Sequence, residues 1–389
     1  MVDERPLVMH LVFSFDVGGL ENGIVNLINR MDPALFRHMV VALSHCSPGF
    51  CSRVQRDDVE FISLEKAPGH GVKLYPRLYS LFKQYRPSIL HSRNLAALEA
   101  VVPARAAGVP VRIHGEHGWD VSDPGGTRVR YRLMRRLYRP FVSHYVALSA
   151  HLADYLVEHV HVPESRLTRI CNGVDTTRFH PAREGRDLLE GSPFNASDLA
   201  VVGTVGRLQA VKDQVTLVRA FALSRSLAGV ASDRLRLCIA GDGPLRREVE
   251  EEIVRAGVGS QVWLAGTRGD VPDVMRGLDL FVLPSRAEGI SNTILEAMAT
   301  GLAVIATNVG GNAELVLPGE TGALVPAGDP AAMSEAIAQY AADGALRREH
   351  GLAGRLRVET EFSLDGMVER YALLYQSQLE AACARHAAA

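Results

Sequence analysis

Short apolar runs alternate with longer amphipathic stretches along the first 180 residues of the chain. The apolar runs predict strands at Leu7–Phe15, His38–Leu43, Ile89–His91, Val111–His114 and Tyr145–Leu148. Helices are predicted at Glu21–Asn29, after the Gly18-Gly19 turn, and at Leu74–Gln84, before Arg86-Pro87. Strands that alternate with helices predict right-handed crossovers and a buried parallel sheet.

A second series of the same kind begins near Leu199. The predicted strands are Ala200–Val205, Leu235–Ala240, Gln261–Ala265, Leu280–Leu283 and Ala303–Thr307. The predicted helices are Val215–Ser224, Leu245–Ala256, Asn292–Ala299, Ala331–Tyr340 and a terminal helix, Leu364–Ala382. The polar segment Glu184–Asp198, with its glycines and a proline, is the predicted linker between the two series.

The pattern therefore predicts an α/β protein with two doubly wound, Rossmann-like domains. We expect an N-terminal domain over residues 1–180, a C-terminal domain over 181–360 and a tail over 361–389. Ligands of such sheets bind at the carboxyl ends of the strands, so we expect two facing domains with a cleft between them.

Composition adds one observation to the predicted fold, which is that the two halves of the chain differ in net charge. The 389 residues carry 42 Lys and Arg against 44 Asp and Glu, a balance that argues against a nucleic-acid partner. Residues 1–180 hold 22 basic against 17 acidic side chains and 12 of the 14 histidines, whereas the rest holds 20 against 27. A basic and an acidic half suggest two domains with different ligands.

The cysteines and the apolar runs bear on localisation. The five cysteines are odd in number and no two are spaced C-x-x-C, which is typical of reduced thiols in a cytoplasmic protein. The first residues are acidic and lack the features of a signal peptide. No apolar run approaches the roughly 18 residues of a spanning helix, so we expect a cytoplasmic protein.

The first candidate site follows a predicted strand of the second series. Gly203-Thr-Val-Gly206-Arg207 is followed by Lys212-Asp213. Glycine permits close backbone approach, and Arg207 and Lys212 could neutralise a diphosphate. A tight turn with two solvated cations is the alternative, and this loop alone does not decide between them.

Two further loops follow strands of the same series. Pro284-Ser-Arg-Ala-Glu288-Gly289-Ile290-Ser291-Asn292 opens the helix that contains Glu296, and Ser291 or Asn292 could cap it. Free amides at its start suit a phosphate or a sugar hydroxyl, although a capping loop with an exposed helical Glu is equally common. Gly241-Asp-Gly-Pro244 has Arg246 in place of the third glycine of a dinucleotide fingerprint, so we expect no nicotinamide cofactor and no other cofactor.

Taken in order, the motifs resemble those of family-four glycosyltransferases of the GT-B fold over nearly the whole chain. They are Gly18-Gly19-Leu-Glu21, Glu116-His117-Gly118, Cys171-Asn-Gly-Val-Asp175, Val205-Gly-Arg-Leu208 with Lys212-Asp213, Gly241-Asp-Gly-Pro244, and Glu288-Gly-Ile-Ser-Asn-Thr-Ile-Leu-Glu296-Ala-Met-Ala. Within that family the chain most resembles bacterial sugar transferases of exopolysaccharide and exosortase-linked gene clusters.

The resemblance implies a role for each of these residues. Arg207 and Lys212 would hold the donor diphosphate, and Glu296 would bind the ribose hydroxyls. Glu288, with the amides of Gly289, Ile290, Ser291 and Asn292, would contact the donor sugar and diphosphate, and the Gly241 loop would belong to the same donor site. The base would lie near Arg268–Val271, held largely by the main chain at Arg268 and Val271. Gly18 and Gly19 would let their loop approach the phosphate and acceptor, His117 would approach the reacting sugar, and the tail helix would cross back onto the first domain.

The resemblance also implies the reaction, a transfer that retains the anomeric configuration. Its donor would be a nucleotide diphosphate sugar, UDP-linked in the first place and GDP-linked in the second, and its acceptor a glycan or lipid-linked glycan. Arg207, Lys212 and helix-start amides could stabilise the departing diphosphate without a metal ion. His114 and His117 form an H-x-x-H pair, but no third ligand is evident, so we expect no metal site. His114 is expected to be structural and His117 functional.

The most unusual stretch is arginine-rich, Arg128-Val-Arg-Tyr-Arg-Leu-Met-Arg-Arg-Leu-Tyr-Arg139. At about 100° per residue, one helical face carries Arg128, Arg132, Arg135, Arg136 and Arg139. The opposite side carries Leu133, Met134, Leu137 and Phe141, although Arg130 also falls there. A surface helix with a solvated basic face is one interpretation. The other is attraction to anionic lipid head groups or a lipid-pyrophosphate acceptor, worth about 1 kcal/mol per basic residue, which would place the protein peripherally at the membrane.

Two other function classes stay open at this point. A nucleotide-sugar epimerase shares the two-domain architecture, and a non-catalytic scaffold that binds nucleotide sugars would share the donor site. Arg207, Lys212, Glu288, Glu296 and His117 are all present, which argues against the scaffold.

Overall fold

A computed structural model describes residues 3–67, 71–118, 123, 126–227 and 229–387. The chain divides into two compact units, Met1–Asn172 with Leu364–Ala389 (unit 1) and Gly173–Ser363 (unit 2). The first boundary between the two units follows Asn172, whereas the sequence analysis expects the N-terminal domain to end at residue 180. No helix in the described part of the chain combines the length and apolar character needed to cross a bilayer.

Unit 1 is built on a parallel sheet. Its strands are β1 Leu7–Val12, β2 Arg37–Ala42, β3 Glu60–Ser63, β4 Ile89–Arg93, β5 Val111–Glu116, β6 His144–Ala147 and β7 Leu167–Arg169. Its helices are α1 Gly19–Arg30, α2 Pro48–Cys51, α3 Tyr75–Tyr85, α4 Asn94–Leu98, α5 Val101–Ala107, α6 Val129–Tyr138 and α7 Ala150–Val160. The strand order is β3-β2-β1-β4-β5-β6-β7, so the winding reverses between β1 and β4. At such a reversal the loops after both strands leave room for a ligand.

Unit 2 repeats the design with a second parallel sheet. Its strands are β8 Ala200–Val205, β9 Leu235–Ala240, β10 Val262–Gly266, β11 Leu280–Leu283, β12 Val304–Thr307 and β13 Gly322–Val325. Its helices are α8 Gln214–Leu227, α9 Arg246–Arg255, α10 Val271–Arg276, α11 Asn292–Ala299, α12 Asn312–Leu315, α13 Pro330–Ala342 and α14 Gly344–Glu361. The order β10-β9-β8-β11-β12-β13 reverses between β8 and β11.

The last helix, α15 (Leu364–Ala387), returns to unit 1. Its buried residues Met367, Tyr371 and Tyr375 pack in one apolar cluster with Val8 and Ile113 of the first sheet. Burial of apolar surface at roughly 25 cal/mol per Å² therefore holds this helix to the sheet face. The chain crosses back to its first domain, as the family resemblance implied.

The segment Glu184–Asp198 is not a linker, and that prediction is wrong. It belongs to unit 2, where Leu189 and Phe194 are buried. The Arg186 Nε atom lies 3.3 Å from an oxygen of Asp279, just before β11. Two apolar anchors and one ion pair therefore fold this polar segment onto the second sheet.

The basic helix α6 is oriented differently from the sequence prediction. Arg135, assigned to the exposed arginine face, is only 3% exposed, whereas Leu133 and Leu137 are 56% and 65% exposed. The helix packs against α4 and α7, and the Arg135 Nε atom lies 2.6 Å from Oε1 of the buried Glu116. This ion pair turns Arg135 inward, because a carboxylate buried at the end of β5 requires a cation beside it.

Candidate functional site

The loops after β8 and β11 meet at the strand reversal of unit 2. The Arg286 amide donates to the Val211 carbonyl oxygen at 2.8 Å, and the Arg286 Nε donates to Asp213 at 2.8 Å. Beside these contacts, Lys212 Nζ lies 2.6 Å from Glu288 Oε1. Asp213 holds a left-handed φ of 48° and is buried. Two ion pairs and a backbone bond thus join residues that the sequence separates widely.

Glu288 is fixed from two sides. Its Oε1 atom accepts a hydrogen bond from Ser285 Oγ at 2.6 Å as well as from Lys212. The side chains of Lys212 and Glu288 are 26% and 10% exposed, so the pair is shielded but reachable. Lys212 and Glu288, which the resemblance assigns to the donor site, are therefore in direct contact.

Glycines bring the loops after β8 and β9 into backbone contact. Gly241 has φ 145°, and a Cβ placed on it would lie 1.9 Å from the Gly206 carbonyl oxygen. A Cβ on Gly243 would lie 2.5 Å from the Leu208 carbonyl oxygen. The Leu208 amide in turn donates to the Asp242 carbonyl at 3.0 Å. Only glycine permits this approach, which sets the position of the Arg207 loop.

A second glycine pair supports the Glu288 loop from the other side. Gly310 has φ 53°, and a Cβ on it would lie 1.9 Å from the Glu288 carbonyl oxygen. The Gly311 amide donates to the Gly289 carbonyl at 2.8 Å, and Thr307 Oγ1 donates to the Ser285 carbonyl at 2.5 Å. The turn after β12 therefore holds the loop after β11 in place.

The helix α11 carries the second acid of the predicted donor site. Ser291 caps it, with its side chain accepting from the Ile294 amide at 3.4 Å. Burial raises the pKa of Glu296 to about 7, although the Arg178 guanidinium opposes the shift. Among the described residues, neither the Glu296 carboxylate nor the exposed Arg207 guanidinium has a hydrogen-bond or ion-pair partner. Both groups are available to a ligand.

Arg268 and Val271 lie after β10, where the base of a nucleotide was expected. The Arg268 guanidinium pairs with Asp270 at 2.5 Å and donates to the Glu190 carbonyl at 3.1 Å. Val271 begins α10 directly after Asp270. Because the Arg268 side chain is engaged, main-chain groups remain to contact a base at this position.

Gly18 and Gly19 of unit 1 lie where α1 begins, after β1. Gly18 is the N-cap residue, and an oxygen of Glu21 lies over it, 2.1 Å from the position of a Cβ. Burial raises the pKa of Glu21, with Arg93 opposing the shift. The carboxylate of Glu21 hydrogen-bonds its own backbone amide, so an anionic group of this chain lies at the start of α1.

His117 follows β5 on the same edge of the first sheet. Its amide donates to Asn94 Oδ1 at 2.8 Å, and Asn94 holds a left-handed φ of 58°. Its Nε2 atom is buried and has no hydrogen-bond partner within the described chain. Burial, reinforced by Arg93, lowers the pKa of His117 to about 3, so the ring is neutral at physiological pH.

His114 is part of the fold and not of an open site. Its Nδ1 atom lies 2.9 Å from Ser92 Oγ, and its Nε2 atom lies 3.4 Å from Glu116. Burial alone would raise the pKa of Glu116, but Arg135 and His114 outweigh it and hold that pKa well below its usual range. Within the described ranges, no three His, Cys, Asp or Glu side chains are grouped as a metal would need.

Three features of the site escaped the sequence analysis. They are the Asp213–Arg286 ion pair, the Gly310-Gly311 turn and the Asn94 contact with His117. The Val-Gly-Gly-Asn run after β12 was a signal for the turn, since paired glycines after a strand mark a close backbone approach. Asn94 had no comparable signal, because its role depends on the adjacency of β4 and β5.

Two protein-family models match the chain, one largely within each unit. Residues 17–178 match the model described as Glycosyltransferase Family 4, and residues 200–343 match Glycosyl transferases group 1. HepE (Alr3699) of Anabaena, solved in complex with UDP-glucose, has a TM-score of 0.74 at 20% identity. The alignment covers 95% of this chain and 99% of that one. The fold is thus GT-B, with two parallel-sheet α/β domains.

Named relatives point the same way. The putative glycosyltransferase EpsF of Bacillus subtilis (strain 168) is 26% identical over 321 residues, 78% of this chain and 80% of its own length. An Escherichia coli relative is named UDP-Gal:alpha-D-GlcNAc-diphosphoundecaprenol alpha-1,3-galactosyltransferase. It is 28% identical over 275 residues, 69% of this chain and 70% of its own length. The chain belongs to the glycosyltransferases that these two domain models describe.

Proposed function

We propose that the chain transfers a sugar from a nucleotide diphosphate sugar to a glycan or lipid-linked glycan, with retention of the anomeric configuration. The observation that carries the proposal is the contact of Lys212 with Glu288 at the strand reversal of unit 2. The name of the E. coli relative contains a UDP-linked donor and a lipid diphosphate acceptor. HepE was solved with UDP-glucose, so we propose a UDP-sugar as donor before a GDP-sugar. Like CapM of Staphylococcus aureus, which is named as a capsular polysaccharide biosynthesis glycosyltransferase, this chain would act in exopolysaccharide or cell-surface polysaccharide synthesis.

The donor would be held by the loops of unit 2. Arg207 and Lys212 bind the diphosphate, together with the amides at the start of α11, because cations and a helix start both favour phosphate. Glu296 accepts hydrogen bonds from the ribose hydroxyls, and Glu288 with Gly289 contacts the sugar. The main chain at Arg268 and Val271 holds the base, and the Gly241 loop keeps its backbone close to the donor.

The reaction follows from where charge develops. The bond between the anomeric carbon and the phosphate oxygen breaks, and the electron pair leaves with the nucleoside diphosphate. Arg207 and Lys212 stabilise that charge in place, without a metal ion. The acceptor oxygen bonds to the anomeric carbon on the same face, and its proton passes to the departing phosphate oxygen. The family resemblance implies that His117 approaches the reacting sugar, and we propose that role for it.

The face of α6 supports peripheral membrane binding. Val129, Leu133 and Leu137, which we call the apolar stripe, are 60%, 56% and 65% exposed. Arg128, Arg130 and Arg136 are exposed on the same helix. Apolar side chains flanked by cations are typical of helices that lie in the interface of anionic bilayers. We therefore propose that this helix places the protein at the membrane surface where a lipid-linked acceptor resides.

A thermal-shift screen against UDP-, GDP- and ADP-glucose tests the donor site. A ligand at 100 times its dissociation constant adds about 2.7 kcal/mol to the apparent stability, so the donor that binds is recognised by a raised Tm. We expect the UDP-sugar to give the largest shift and Glu296→Gln to remove most of it. The absence of a shift with all three sugars would contradict the proposed donor class.

Transfer itself is tested with the donor identified in that screen. We expect release of free nucleoside diphosphate that depends on an added glycan acceptor, and the rate of this release should be unchanged in EDTA. The anomeric proton coupling of the product should match that of the donor. An inverted product would overturn the retaining mechanism. Interconversion of the sugar without release of diphosphate would instead identify an epimerase.

A further inference from the structure

Arg286 contacts both chain neighbours of Lys212. Its backbone amide donates to the carbonyl oxygen of Val211 at 2.8 Å, and its Nε atom donates to the carboxylate of Asp213 at 2.8 Å. Lys212 lies between these two residues, and its Nζ atom is 2.6 Å from Glu288, two positions after Arg286 on the same loop. Three contacts therefore join the turn after β8 to the loop after β11, and Lys212 lies in the middle of them.

Asp213 has a backbone conformation that its side-chain contacts restrain. Its φ of 48° is left-handed, a region that residues other than glycine enter at an energetic cost. Its Oδ2 atom accepts from Thr216 Oγ1 at 2.9 Å as well as from Arg286. A strained residue persists only where the surrounding structure determines its conformation. The contacts with Arg286 and Thr216 supply that restraint at the residue that follows Lys212.

The ion pair of Arg286 with Asp213 is expected to have a small effect on stability. The Arg286 side chain is 63% exposed, whereas the Asp213 side chain is 6% exposed. Ion pairs with a solvent-exposed partner contribute little to folding, because screening and the loss of side-chain entropy offset the attraction. The contact matters instead for geometry, because Arg286 restrains the chain on both sides of Lys212 and therefore the position of its ammonium group.

We infer that Arg286 is a positioning residue, which acts through Val211 and Asp213 to hold the Lys212 ammonium beside Glu288. The catalytic consequence rests on the proposed function, in which Lys212 stabilises the departing diphosphate. A cation that is already in place does so without rearranging during the reaction. Loss of the Arg286 side chain would leave the same ammonium present but less well placed, and misplacement of an intact group lowers the rate.

The placement of Lys212 can be measured without any donor. The chain has four lysines, and Lys212 is the only one in unit 2, since the others are Lys66, Lys73 and Lys83. Trace acetylation of the full chain with acetic anhydride, followed by mass spectrometry, gives a rate for each amine. An ammonium that is bonded to Glu288 must leave that carboxylate before it reacts. In Arg286→Ala we expect the Lys212 rate, measured relative to that of the exposed Lys83, to rise severalfold.

Arg219→Ala is the matched control for Arg286→Ala. Arg219 of α8 pairs with Glu252 of α9 at 2.9 Å, and their side chains are 49% and 6% exposed, close to the values for the Arg286 pair. Arg219→Ala should leave the Lys212 rate unchanged, and both variants should keep a Tm close to that of the unaltered protein. An unchanged Lys212 rate in a folded Arg286→Ala protein, or an equal rise in both variants, would overturn the inference.

Variants at Asp213 test whether Arg286 acts through this residue. Asp213→Asn keeps an acceptor and tolerates a left-handed φ, so the Lys212 rate should stay low. Asp213→Gly adopts the same φ freely but has no acceptor, so the rate should rise as in Arg286→Ala. The double variant Asp213→Gly/Arg286→Ala should react no faster than either single variant, since both changes break one contact. Additive increases would refute the role of Asp213.

Turnover measurements separate this inference from the proposed function. In sugar transfer, Arg286→Ala should lower kcat about tenfold and change the Kd of the donor less, because the misplaced cation affects the departing charge most. Arg219→Ala should leave both values unchanged, and a normal kcat in Arg286→Ala would refute the catalytic consequence. A chain that fails every transfer assay but shows the expected acetylation rates would contradict the proposed function and leave the positioning of Lys212 intact. Normal transfer with unchanged acetylation rates would do the reverse.

Discussion

Lys212 Nζ and Glu288 Oε1 lie 2.6 Å apart, although 76 residues separate them in the sequence. The contact exists because β8 and β11 are neighbours at the point where the winding of the second sheet reverses. In the free chain the two charges compensate each other, which lowers the cost of holding a half-buried ammonium. A bound diphosphate would bring negative charge to the same ammonium, so Lys212 would be shared between Glu288 and the donor.

Replacement of this lysine tests the phosphate role. Lys212→Ala removes the cation that would stabilise the departing diphosphate, and loss of one such preorganised group costs about 10²–10³-fold in kcat. Steady-state release of nucleoside diphosphate measures the effect. Lys83→Ala removes an exposed cation from α3 of unit 1 and should leave kcat unchanged. Near-normal turnover of a folded Lys212→Ala protein would refute the assignment.

Much of the fold could be predicted because buried parallel strands read as continuous apolar runs. β8 and β9 have the bounds that the pattern predicts, Ala200–Val205 and Leu235–Ala240. β13 (Gly322–Val325) was missed, since a run of four residues that begins with glycine resembles a loop. Short elements lack the periodicity on which the prediction depends.

The sequence predicts which residues belong to the site better than it predicts the contacts between them. Lys212 and Glu288 were named from their motifs, but their pairing requires the strand order, which no local pattern contains. The prediction of how α6 is oriented was wrong for the same reason. Its charge pattern predicts an arginine face in solvent, whereas Glu116, from another element, draws Arg135 inward. Local patterns identify candidate groups, and the tertiary structure decides which of them are paired.

The raised pKa of Glu296 predicts that donor affinity falls at acid pH. Ribose hydroxyls donate to a carboxylate, so binding requires the ionised form, and burial holds the pKa of Glu296 at about 7 in the free chain. The apparent Kd should therefore rise about tenfold for each pH unit below that value, since the competent fraction falls in proportion. Calorimetric titration with UDP-glucose from pH 8 to pH 5.5 measures it, because this diester has no second phosphate ionisation in that range.

Glu296→Gln is the control for this pH dependence. The amide cannot titrate, so the variant should bind more weakly at pH 8 and show a nearly flat profile down to pH 5.5. A slope in Glu296→Gln equal to that of the unaltered protein would assign the pH dependence to another group.

The turn after β12 offers a matched pair of glycine substitutions. Gly310 and Gly328 have φ values of 53° and 71°, so alanine is strained at both, by about 1–2 kcal/mol. Only at Gly310 does the new Cβ collide with another chain segment, the Glu288 carbonyl at 1.9 Å, whereas the space at Gly328 is open. Gly310→Ala should lower Tm further than Gly328→Ala and should also weaken donor binding. Equal Tm and equal affinity in the two variants would show that the turn does not position the Glu288 loop.

The apolar stripe of α6 makes the membrane proposal testable against simple electrostatics. A solvated basic face would bind anionic vesicles only through charge, and such binding disappears as salt shortens the Debye length to about 3 Å at 1 M. If the apolar stripe inserts into the bilayer, some vesicle binding should resist salt, because apolar burial does not depend on ionic strength. We therefore expect sedimentation with phosphatidylglycerol vesicles that weakens but persists at high salt, and little sedimentation with phosphatidylcholine.

The double variant Leu133→Ser/Leu137→Ser should abolish the vesicle binding that persists at high salt. It should leave the vesicle binding at low salt largely intact. Leu352→Ser/Leu356→Ser is its matched control, since these leucines have the same spacing on α14 and are 67% and 63% exposed. That control should sediment like the unaltered protein. If both double variants lost vesicle binding equally, or if the stripe variant lost none, exposed leucine on α6 would have no specific role, and the helix would be a solvated surface of unit 1.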